Sequence, residues 1–222
     1  MDVGKYRALR YGANRFFTTA TLLFFTGPLW ATSVFINELH YDDQGADTAE
    51  GIEIAGPAGT DLTDWRLLFY NGGTGQTYKT FTLSGMIPEL SAGMGVLAAS
   101  VSGIQNGAPD GLALVDGQGG VVQFLSYEGS FSALGDAADG LESDDIGVLE
   151  DGTTLEGLTL QLAGKGAVYA DFHWVQSDGS FGDVNTGQSF LAVVQPVPLP
   201  GALWLLCSGL IMLSALGRKK PI

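Results

Sequence analysis

The chain holds a single cysteine in 222 residues and almost no basic residues away from its two ends. Cys207 sits in an apolar run near the C-terminus, so the region before it has no disulfide and must be held by a hydrophobic core. Within that run, Cys207 is read as a small apolar filler rather than a lipidation site. Lys5, Arg7, Arg10 and Arg15 open the chain and Arg218, Lys219 and Lys220 close it. That leaves Arg66, Lys79 and Lys165 against twenty-three acidic residues, all but Asp2, and a formal charge of −20 between the ends. Such a surface repels phosphate, so nucleic-acid binding through a basic face has little to stand on. It suits solubility, cations or a basic partner. Helical patterning is missing as well. Between Val34 and Phe190 no glycine-free window carries the helical apolar period. There is no nucleophile elbow, and no spacing gathers the two histidines, His40 and His173, with carboxylates into a hydrolytic cleft, so the chain reads as non-enzymatic.

The two ends carry addresses. After the basic lead, Phe16 to Trp30 is uncharged and apolar, and Ala31 and Ser33 place small residues where a signal peptidase cuts. Residues 1–33 are therefore expected to be a secretory signal, with the mature chain starting at Val34. The alternative, an N-terminal membrane anchor, meets a short run broken by Gly27-Pro28. At the other end, 191–200 reads as a linker ending in Val197-Pro198-Leu199-Pro200, 201–217 as a transmembrane helix and 218–222 as a basic cytoplasmic tail. At about 1.5 Å per residue such a helix only just crosses a hydrocarbon core. The prolines mark its start, and Arg218, Lys219 and Lys220 place everything before Val197 on the outer face. In order and position these three parts resemble the PEP-CTERM sorting tail of Gram-negative bacteria, in its VPLP variant, with Leu199 where the namesake motif has Glu. The resemblance implies an exosortase-like sorting protease that cuts near the proline motif. It also implies transient or stable anchoring in the inner membrane, followed by release to the cell surface.

Residues 34–190, roughly 160 in number, are enough for one core and read as strands between turns. Val34 to Tyr41, Ile52 to Ile54, Trp65 to Tyr70, Tyr78 to Leu83, Gly95 to Ala99, Leu158 to Leu162 and Phe172 to Val175 are rich in β-branched, aromatic or alternating apolar residues. The clearest hairpin joins Leu112-Ala113-Leu114-Val115 to Val121–Leu125 through Asp116-Gly117, and Leu141 to Leu155 reads as a long acidic loop. The class is all-β, an antiparallel β-sandwich.

A second resemblance lies in these strands. Val34-Phe35-Ile36-Asn37-Glu38, Glu50-Gly51-Ile52-Glu53-Ile54 and Asp61-Leu62-Thr63-Asp64-Trp65-Arg66-Leu67 are similar to the opening of a lamin tail domain. Asp110 to Asp116, Leu158 to Gln161 and Ser180 to Asn185 are similar to its central hairpin, late strand and closing turn. The resemblance implies an immunoglobulin-like sandwich serving as an interaction module. Taken with the export address, the chain reads as a structural or binding module at the cell surface or in the extracellular matrix, with a polysaccharide or protein partner expected there. The alternative the resemblance implies is a targeting or accessory module for an extracellular hydrolase such as a nuclease or phosphatase.

Candidate ligand residues are few. Asp42, Asp43, Asp47 and Glu50 crowd one loop, and Glu142, Asp144, Asp145, Glu150 and Asp151 another, offering the hard oxygens that calcium prefers. Neither fits an EF-hand, and a solvated acidic loop is the plainer reading. His40 and His173 read as half-buried strand residues, and Trp65 as core packing rather than a sugar platform.

Overall fold

A computed structural model describes residues 34–192. The expected signal with Ala31 and Ser33, and the sorting motif, helix and basic tail from Val197 to Lys220, lie outside the described residues. Among the described residues no helix is long and apolar enough to cross a membrane; the one helical segment is a 3-10 turn at Tyr169–Asp171.

The described chain is an all-β sandwich. One sheet takes the order β10 (Phe172–Asp178), β9 (Leu158–Gly166), β1 (Phe35–His40), β2 (Gly51–Pro57) and β5 (Met94–Ser100), with β11 (Gln188–Phe190) also on β9. The other takes the order β4 (Gln76–Thr82), β3 (Arg66–Asn71), β6 (Asp110–Val115), β7 (Val121–Tyr127) and β8 (Asp144–Asp145). The expected hairpin is β6–β7, closed by Asp116 Oδ1, which accepts from the Gln118 and Gly120 amides at 2.9 and 2.7 Å. Two expectations need correction. The sheets are mixed rather than purely antiparallel, because β11 runs parallel to β9 and β8 parallel to β7. The acidic stretch from Leu141 is not all loop, since it supplies β8. Both parallel strands are reached by long connections, as parallel pairing requires.

Those connections also explain the density of apolar residues. The main core lies between the sheets, where Ile36, Leu39, Ile52, Ile54 and Leu160 of the first meet Leu67, Phe69, Leu112, Leu114 and Leu125 of the second. On the other face of the second sheet Leu68, Tyr70, Ala113 and Phe124 are covered by Phe131, Ala133 and Ala138 from the β7–β8 connection. The rings of Phe124 and Phe131 meet edge to face at 5.4 Å. A third cluster joins Phe35, Ala55, Met94 and Val96 of the first sheet to Phe190 of β11, with Val184 packed against it. At roughly 1.5–3 kcal/mol for each fully buried large apolar side chain, three such clusters replace what disulfides would otherwise supply. Strands buried on both faces read as continuous apolar runs, as in Leu67-Leu68-Phe69-Tyr70.

Candidate functional site

Two buried polar networks organise the side chains that could carry chemistry. The first begins where β1 ends. His40 is 3 % exposed, with Nδ1 2.9 Å from Glu150 Oε1 and Nε2 2.9 Å from the Thr48 carbonyl and 3.5 Å from Asp43 Oδ2. A carboxylate and a carbonyl only accept, so both ring nitrogens must donate and the imidazole is held as its cation. Burial acts to lower its pKa, but the hydrogen bond and charge of Glu150, the Thr48 carbonyl and Asp43 outweigh that and lift it to about 8. Glu150 Oε2 accepts from the Tyr41 and Asp42 amides at 2.6 and 3.1 Å, and the Tyr41 hydroxyl accepts from the Glu150 amide at 2.8 Å. Tyr41 stacks on Tyr127 at 3.9 Å, and burial pushes both phenols up. The network therefore pins residues 146–157, which precede β9, onto the end of β1.

The second network lies under the closing segment that follows β10. A bulge in β1 sets Asn37 and Glu38 opposite the single residue Glu53, one residue more than regular pairing allows. Glu38 Oε1 accepts from the Thr159 hydroxyl at 2.6 Å and the Ser180 amide at 2.8 Å. Glu53 accepts from Asn37 Nδ2 at 2.9 Å and the Gly182 amide at 2.6 Å. Asn185 Nδ2 donates to the Asn37 and Leu162 carbonyls at 3.0 and 3.1 Å, and Gln188 Nε2 to Asn37 Oδ1 at 2.6 Å. Burial lifts Glu53 to about 8 against the lowering effect of the Gly182 amide and Asn37, with the Glu38 charge adding to the rise. Each of the two glutamate side chains thus holds a backbone amide of the cover.

The residues singled out for calcium are placed apart in their work. Glu50 accepts from the Gly103 and Ile104 amides at 2.6 and 2.8 Å, tying the β1–β2 loop to the β5–β6 connection. Asp43 turns to His40 and to the Thr48 hydroxyl at 3.2 Å. Asp42 is raised by burial and then by its hydrogen bond with Asp47. Among the described residues no three His, Cys, Asp or Glu side chains are grouped so as to hold a metal ion. In the other acidic stretch Glu150 is fully buried, Asp144 and Asp145 form β8, and Asp151 Oδ1 accepts from the Thr153 amide and hydroxyl at 2.8 and 2.6 Å.

Of the other residues singled out, Trp65 packs against the main core, as its position after a turn predicted. His173 is exposed on β10, where a half-buried place was expected, because its neighbours Phe172 and Trp174 take the covered face. Sequence reasoning missed Glu38, Glu53 and Gln161 as buried groups. The signal that could have found them is the turn-forming segment from Ser180 to Thr186, whose backbone amides need acceptors: Ser180, Gly182 and Thr186 donate theirs to Glu38, Glu53 and Gln161. Comparison with protein-family models, curated proteins and solved structures gives no match to this chain.

Proposed function

We propose that the protein is an exported, tail-sorted β-sandwich of the lamin-tail, immunoglobulin-like kind, which binds or builds at the cell surface or in the extracellular matrix rather than catalysing a reaction. One observation carries the reading: the groups best suited to acid–base work, His40, Glu150, Glu38 and Glu53, are all spent on holding connections to the sheets. A buried imidazolium between two acceptors has no lone pair to offer a substrate. The resembling segments fall on β1, β2, β6, β9 and the closing segment, with Asp61–Leu67 leading into the start of β3, and β9, β1 and β2 are neighbours in one sheet. The charge of −20 suits a domain kept soluble outside the cell until it meets a cationic or polar partner.

A pull-down of the exported domain from culture tests this. Recovery of polysaccharide or of further copies of the chain supports the structural role. A stable complex with a nuclease or phosphatase would instead make it an accessory module, and turnover of a substrate by the purified chain would overturn the reading.

A further inference from the structure

Sheet pairing leaves one strand edge open beside a groove. β8 is two residues long and pairs only with Leu125 and Ser126, so Val121 to Phe124 have no strand partner on their outer side among the described residues. Beside that edge lies a groove of about 430 Å³ between β7 and the 3-10 turn, with Val121, Val122, Phe124 and Tyr169 among its walls and Glu142 and Asp144 at its rim. Both carboxylates are exposed, and no Lys or Arg lines the groove. Gln123 faces it too. Its Oε1 accepts from the Ile36 amide at 2.9 Å, while its Nε2 is buried without an acceptor among the described residues. An unpaired edge, an apolar trough and a negative rim ask for three things in one ligand: backbone hydrogen-bonding groups in extended form, aliphatic side chains on one face, and cationic side chains.

We propose that this groove binds an extended basic–apolar polypeptide segment of a partner protein, which adds a strand to the β7 edge in line with β8. Alternate side chains of an added strand point to opposite faces, so its aliphatic residues would enter the trough beside Val122 and Tyr169. A Lys or Arg of the same segment would reach Glu142 and Asp144. The groove would serve the chain whether or not it is exported, so the proposal goes beyond the functional reading above and its failure leaves that reading standing.

The test uses the full-length chain and a fluorescently labelled, capped hexapeptide of alternating lysine and valine, with the glutamate–valine peptide as its counterpart. Anisotropy should report binding of the lysine peptide and none of the glutamate peptide, and hydrogen exchange should slow at Val121–Phe124. The double variant Glu142→Lys with Asp144→Lys should weaken binding by about tenfold or more. Asp61→Lys with Glu89→Lys changes the total charge equally, at sites outside the groove, and should leave affinity within about twofold. No binding, unchanged exchange at Val121–Phe124, or equal loss in both double variants would overturn the proposal, the last because attraction would then belong to the whole acidic surface.

Discussion

His40 Nδ1 stands 2.9 Å from Glu150 Oε1 with both side chains out of solvent, which makes one charge on β1 the fastening for a connection more than a hundred residues further along the chain. The raised pKa of His40 fixes the sign of its pH dependence. A group whose folded pKa of about 8 lies above the ordinary 6.5 stabilises fully below 6.5, and that contribution is lost as pH rises through about 8. In denaturant titrations the advantage of the native chain over His40→Gln should shrink by about 2 kcal/mol between pH 6 and pH 9. A difference that does not change with pH would mean the ring is neutral when folded.

Glu53 gives a prediction of the opposite kind for substitution. Its carboxyl is lifted to about 8 from 4.5, so the stability it lends is complete below about 4.5 and declines as pH rises toward 8. Glu53→Gln keeps the shape and removes the ionisation. It should be close to neutral near pH 5 and more stable than the native chain at pH 8. A variant that is less stable at pH 8 by as much as at pH 5 would show that the ionised form is the one the cover needs.

Gly95 on β5 has no room for a side chain, because a Cβ there would lie 1.6 Å from the Pro88 carbonyl oxygen. Gly95→Ala must push back the segment that folds over the start of β5 and should cost about 2 kcal/mol or more in urea unfolding. Gly152, with nothing within 4 Å of its Cβ position, serves as the control, and its alanine variant should change stability by no more than about 0.5 kcal/mol. Equal effects at both positions would contradict the packing described for β5.

The separate employment of Glu50, Asp43 and Asp42 leads to an expectation about ions. Calcium and magnesium at equal ionic strength should raise the melting temperature by the same amount, through screening of a domain at −20. A shift with calcium alone would mean that Asp42, Asp43, Asp47 and Glu50 rearrange around the ion, since binding only to the folded form stabilises by mass action.

Much of the strand content was legible because it rests on local signals. Val34 to Tyr41 and the β6–β7 hairpin announce themselves through β-branched runs and a turn at Asp116-Gly117, and Trp65 through its place after Asp61–Asp64. Legibility ended where burial depends on a distant segment. Glu38 and Glu53 look solvent-facing in an alternating strand and are buried only because Ser180 and Gly182 bring amides to them across more than a hundred residues. β8 consists of two aspartates, which have no strand preference of their own and pair only because the chain returns beside Leu125. His40 reads like any polar residue in a strand until Glu150, from the other side of three intervening sheet crossings, closes on it.

The address at the two ends is the centre of the functional account, and mass spectrometry of the mature protein tests it most directly. A cell-surface or extracellular species that begins at Val34 and ends near Val197, free of the stretch containing Trp204, is the predicted result. A full-length chain that stays in the cytoplasm with residues 1–33 and the C-terminal Arg218, Lys219 and Lys220 still attached would contradict it.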